Sequence, residues 1–222
     1  ISDRKFRFDY LNQRIQAWRH LSTFAFRSDE VPSIMTRMRA VVGSASEIRV
    51  PLVVMDSAPA AVLGAMFDPT VGTFEKKIMV NVGNMHSLAF RMNGEEIEGV
   101  FEHHTSFLNR PKLEALLQRF AKGSLTNDEI FAEHGHGALL GSSESWSLQG
   151  GNAHLVVTGP RRSVLQDSSL NPYMAVPFGD MMTSGCIGLI AAAGEKLPEL
   201  KEPISRLLSS PAEQRLSPWE MD

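Results

Sequence analysis

The chain has 222 residues, 43% hydrophobic and 21% charged, with a net charge of -3 at pH 7. This composition supports a sizeable core in one large domain or two small ones and excludes a disordered chain. With no basic stripe a general nucleic-acid binder is excluded, no apolar run approaches the ~18 residues of a membrane span, and one cysteine, Cys186, rules out an internal disulfide framework.

The lone cysteine fits a reducing compartment, so a cytoplasmic protein is expected. Arg4–Tyr10 alternates Phe6, Phe8 and Tyr10 against charges, which predicts a short edge strand. Leu11, Ile15, Trp18 and Leu21 recur at helical spacing in 11–26, and Pro32 opens a second helical run ending near Gly43. Ile48–Met55 reads as a strand buried on both faces, followed by Asp56-Ser57 capping a small-residue helix over 58–67 that ends at Asp68-Pro69. Lys77–Val82, Met85–Met92 and Glu95–Glu102 predict three antiparallel strands joined by Gly83-Asn84 and by Asn93-Gly94, the strongest short hairpin signal.

Asn109 and Pro111 open a helix to Lys122 that buries Leu113, Leu116, Leu117 and Phe120 before Gly123 stops it. Thr126 and Glu129 form a capping box for a short helix, after which His134-Gly135-His136-Gly137 is a predicted loop. A polar excursion over 142–152 leads to a strand at His154–Thr158, a helix start at Arg161–Gln166 and a last short strand at Tyr173–Pro177. Gly179-Asp180 opens a helix over 181–193, with Cys186, Met181 and Met182 read as core filler, and Leu197–Ser209 closes the chain before a Pro-containing tail.

Strands reached through a helix run parallel to their neighbours. The order from residue 77 is therefore an α/β, ribonuclease-H-like arrangement: an antiparallel three-strand meander, then parallel strands alternating with helices. That unit is duplicated in the actin-like ATPase, sugar-kinase and acetate-kinase superfamily. The expected division is 1–74 as the remainder of a first half with inter-half helices, 75–195 as a complete half, and 196–222 as a C-terminal helix and tail. The start at Ile1, without methionine, points to an N-terminally incomplete two-half architecture.

The strings MVNVGNMHSLAF, GVFEHHT, EHGHGA, VVTGPRR and FGDMMTSGCIG resemble a prokaryotic family labelled "putative pyruvate formate-lyase activating enzyme", over about residues 30–195. The family is grouped with the actin-like ATPases, and its usual opening glycine motif has no counterpart here. The resemblance implies a nucleotide-binding fold with ATP and magnesium. It does not imply the labelled chemistry, because a radical activator needs a cluster of three cysteines for its iron–sulfur centre and this chain has one.

Site candidates follow from the turns. Gly83 brings backbone N–H groups close to an anion, and Asn84 and His86 can donate to phosphate oxygen. Asn81 stands where the superfamily often carries a metal-holding aspartate, so hydrolysis is not expected from it. Gly159, Arg161 and Arg162 mark a strand-to-helix turn suited to an anion, and Gly179-Asp180 either caps a helix or takes a ribose hydroxyl. A second set, Glu102, His103, His104, His134 and His136, falls in two short segments. His103 and His104 cannot share a face while the strand continues, whereas His134 and His136 can converge. One of the first pair with His134, His136 and a glutamate would suit zinc, iron or manganese. His86, His104 and Glu102 are the acid/base candidates.

The first expectation is an ATP-binding protein, a phosphotransferase or an ATP-driven activator, with a missing N-terminal half or a partner subunit supplying the second phosphate turn and a homodimer allowed. The alternatives are a metal-dependent hydrolase or transferase on the His/Glu loops, and a non-catalytic scaffold that keeps the fold. No membrane or nucleic-acid partner is expected.

Overall fold

The structure, a computed structural model, describes residues 3–209. It opens on helix α1 (Asp3–Ala17), where sequence alternation predicts a strand. The helical spacing of Phe8, Leu11 and Ile15 prevails, because all three are buried in one core cluster. After a 3-10 turn at Leu21–Phe24 the chain forms β1 (Ala25–Arg27), then α2 (Thr36–Ser44) and β2 (Val53–Met55). β1 and β2 pair antiparallel as a separate two-stranded sheet. The doubly buried strand expected over 48–55 shrinks to these three residues. Ile48 and Val50 are 56% and 65% exposed, so no second layer covers them.

Asp56 caps α3 (Ser57–Ala65) through the Ala58 N–H. Asp68 caps the single turn α4 (Pro69–Gly72). Asp68 is almost wholly buried. It also accepts from the Tyr173 hydroxyl and the Val176 N–H, tying this turn to the far edge of the sheet.

The meander forms where the turn residues predict it: β3 (Lys76–Val82), β4 (His86–Asn93) and β5 (Glu96–His104). Gly94 takes a positive φ of 58° in the hairpin turn, a conformation that glycine adopts without a Cβ penalty. Helix α5 (Arg110–Ala121) follows with its four expected apolar side chains buried, and Asn109 accepts the Lys112 N–H at its start. Both halves of the capping box open α6 (Asn127–Ala132). The glycine-histidine loop then ends earlier than expected, because Gly137–Leu140 is a further strand, β6, paired with β5.

β7 (His154–Thr158) lies parallel to β3, and the two-residue β8 (Tyr173–Met174) lies parallel to β7. The region expected as one helix over 181–193 begins with a 3-10 turn at Met181–Thr183 and continues as α7 (Ser184–Lys196). α8 (Pro198–Leu208) completes the described residues, and the Pro-containing tail lies outside them.

The main sheet is mixed and open, in the order β6-β5-β4-β3-β7-β8. Ile78, Val80 and Val82 pack with α5 on one face. Met79, Leu88 and Phe90 pack with α1 and α3 on the other. α7 lies on α3 with backbones in contact. A Cβ on Gly64 would fall 1.8 Å from the Ser184 carbonyl oxygen, and one on Gly188 would fall 1.9 Å from that of Ala60. Two of the residues expected as core over 181–193 are not buried: Met182, in the 3-10 turn, is 73% exposed, and Cys186, on α7, is exposed.

Candidate functional site

Two turns meet at the carboxyl ends of the adjacent parallel strands β3 and β7, the edge where open α/β sheets bind ligands. The first, Gly83–Met85, is closed by the Gly83 N–H donating to His86 O at 3.1 Å. It is pinned to the end of β5, where the Thr105 N–H donates to Met85 O at 2.9 Å and the Thr105 hydroxyl to Gly83 O at 2.8 Å. The second turn begins at Gly159, whose φ is 101°. A Cβ there would lie 2.6 Å from Val82 O and 2.8 Å from the Asn81 Oδ1. The Arg161 N–H also donates to Val82 O at 2.9 Å. Both turns are thus held by backbone contacts that leave no room for a side chain at either glycine.

Above them opens a cleft of about 550 Å³. Asn81, Gly83, Asn84 and Gly159 line it, joined by Asp56 and Ser57 at the start of α3 and by Arg37 from α2. Met181, Met182 and Gly185 close its far side. Among the expected phosphate contacts, Arg161 and Arg162 do not line the cleft, and neither do Gly179 and Asp180. Asp180 caps the 3-10 turn by accepting the Met182 N–H at 2.8 Å. The cation on the cleft is Arg37, which sequence reasoning missed because helical spacing alone does not say which loop α2 will face.

His86 lines the cleft and links it to a second feature. In the β4–β5 register His86 stands directly opposite His104, and Leu88 opposite Glu102. Residues two apart share a face of a strand, so His86, His104 and Glu102 point to the same side. β6 brings in His136, whose N–H donates to Glu102 O at 2.9 Å and whose neighbour Gly137 pairs with Glu102. The three imidazoles form a triangle with ring centroids 4.7–4.8 Å apart, and one ligand nitrogen from each lies within 4.8 Å of the others. Glu102, wholly buried, places Oε1 3.7 Å from the Nδ1 of both His86 and His136.

The other two expected ligands are placed elsewhere. His103 points to the opposite face of β5, where it is fully buried and its Nδ1 lies 3.1 Å from His104 O. Burial there holds its pKa below the usual histidine value. His134 takes a positive φ of 67° at the end of α6 and stacks obliquely on Phe107. His134 and His136, expected to converge, do not: His134 closes the end of α6 in a left-handed conformation with its ring on Phe107, whereas His136 is already bonded to Glu102 beside β5. The partner that expectation leaves out is His86, visible in the sequence as a phosphate contact, which reaches the triangle only through the β4–β5 register.

A family model described as "Putative pyruvate format-lyase activating enzyme (DUF1786)" matches residues 1–164. No curated protein and no solved structure matches the chain significantly. The donor set does not suit an iron–sulfur cluster: the 222 residues hold one cysteine, exposed on α7, where such a cluster takes several thiolates.

Proposed function

This chain is a member of that family, and on this footing we propose that it is a nucleotide-binding protein with a ribonuclease-H-like half of the actin-like ATPase kind. The strand order supports the fold reading: β5-β4-β3 is an antiparallel meander, and β7 and β8 follow in parallel beside β3. One observation carries the function. Two glycine turns with no space for a Cβ lie side by side under an open cleft at the carboxyl ends of β3 and β7.

In this reading Gly83 and Asn84 present the first turn to phosphate and Gly159 lets the second approach it. Arg37 supplies the opposing charge, and Asp56 is placed to hold a magnesium-bound water. Catalysis in such a site is mainly electrostatic positioning of the phosphate. Asn81 keeps the size of an acid but not its charge, so ATP binding or a binding-driven switch is favoured over rapid hydrolysis.

The test is thermal melting with ATP, ADP and Mg²⁺. A nucleotide-specific rise in Tm that falls in Arg37→Ala and in Asn84→Ala, both exposed and free to change without disturbing the core, is the expected result. Equal melting with and without nucleotide across millimolar concentrations would sink the proposal.

A further inference from the structure

We propose that His86, His104 and His136 bind a divalent transition ion of the zinc class, with Glu102 orienting two of the rings. This goes beyond nucleotide binding and does not depend on it. Three observations point the same way.

The first is the donor set. Three imidazole nitrogens with one position left over is the ligand count of a zinc site that keeps a place for water or substrate. Imidazole donors select zinc, cobalt and nickel over magnesium or calcium, which take oxygen. The second is the mounting. His86 and His104 come from β4 and β5, bonded in register, and His136 immediately precedes β6 with its N–H donating to Glu102 O, so all three backbones are fixed before any ion arrives. Metal–nitrogen bonds of 2.0–2.1 Å in a tetrahedron require nitrogens about 3.3 Å apart. From within 4.8 Å of one another, modest ring rotations close that gap without moving a strand.

The third is Glu102. A carboxylate on a wholly buried side chain, 3.7 Å from the Nδ1 atoms of two of the three rings, occupies the place from which carboxylates take the N–H of metal-bound imidazoles. Its negative charge also offsets part of the ion's. His86 is the most accessible of the donors measured against Glu102, with a side chain 25% exposed against 6% for His136. The open coordination position therefore faces the cleft beside the Gly83 turn.

The experiment uses the full chain, stripped with chelator and titrated with Zn²⁺ by calorimetry, and with Co²⁺ while its visible d–d absorption is recorded. One ion per chain is expected, with a Co²⁺ band of four- or five-coordinate intensity in the unmutated protein, a readout that needs no variant. His104→Gln and His136→Gln should each abolish stoichiometric binding. Glu102→Gln should weaken it 10- to 100-fold, and His134→Ala and Cys186→Ser should leave it unchanged. Far-UV circular dichroism identifies any variant that fails to fold, in which case the Co²⁺ spectrum decides. Binding below one ion per chain, binding lost equally in His134→Ala or Cys186→Ser, or an octahedral, aqua-like Co²⁺ spectrum would each overturn the assignment. Because ATP is absent throughout, a failure here is separate from a failure of the nucleotide reading.

Discussion

Arg91 is fully buried in the middle of β4, and its guanidinium makes five interactions. It donates to Phe120 O and Ala121 O at the end of α5 and to Glu144 O in the following excursion, and it pairs with Glu98 at 3.2 Å. Its plane lies 3.7 Å over the Trp146 ring. The carbonyls at a helix end have no partner within the helix, so Arg91 meets a need that α5 creates. Glu98 reaches it because a bulge between Arg91 and Met92 adds one residue to β5. Arg91→Met keeps the length and removes every donor: Phe120 O, Ala121 O and Glu98 keep the Gly123 N–H, the Trp146 backbone N–H and the Asn93 side-chain amide, and the Glu98 carboxylate loses its cation. The expected cost is about 3 kcal/mol or more, read as a lower urea midpoint with an unchanged m-value. Nothing in the alternation of β4 announces this residue, because a charged side chain at a buried strand position looks like an error until its partners are known.

The contact of α3 with α7 is the tightest between elements. Ala60 and Gly64 on one helix meet Ser184 and Gly188 on the other at the spacing of a single turn, with carbonyl oxygens where Cβ atoms would stand. A methyl group at Gly188 must push the helices apart or bend one of them. Overpacking of this kind costs about 1–3 kcal/mol. The α3 start carries Asp56 and Ser57, and the α7 start carries Gly185 next to Met181 and Met182, so the same substitution splays the walls of the cleft. Gly188→Ala is therefore expected to lower Tm and also to reduce any nucleotide-induced rise, whereas Gly185→Ala, with nothing near its Cβ, should leave Tm in place. Equal Tm for both variants would contradict the close approach.

At the scale of the molecule, one face of the sheet is sealed by α5 and the other by α1 and α3, while the β1–β2 pair and α2 sit outside these layers. α2 has no buried residue, and Val41, Ile48 and Val50 are exposed. Segments with few buried contacts open first, so trypsin is expected to cut at Arg37, Arg39 or Arg49 before any site in the main sheet. Because Arg37 lines the cleft, nucleotide should slow that cut. Mass spectrometry of the first fragments checks both points, and early cleavage at Lys76 or Arg119 would reverse the order of stability.

The elements whose signals are local were legible in the sequence. The Asn93-Gly94 turn, the Asn109 cap, the Thr126–Glu129 box and the apolar face of α5 each depend on residues a few positions apart, and each formed. The parallel placement of β7 also followed, since a strand reached through helices has few other options. What the residues alone left undecided needed distant partners. Alternation at Arg4–Tyr10 favoured a strand until Phe8, Leu11 and Ile15 found a common core, and Gly137–Leu140 became a strand because β5 offered an open edge. The candidate site divides in the same way. Glu102, His104 and His136 stand out by their type and crowding, but only the cross-strand register opposes His86 to His104 and turns His103 to the other face, and only the packing of α2 puts Arg37, rather than Arg161, on the cleft. A side chain's chemistry is written at its own position, whereas its neighbours are set by hydrogen bonds between strands far apart in the chain.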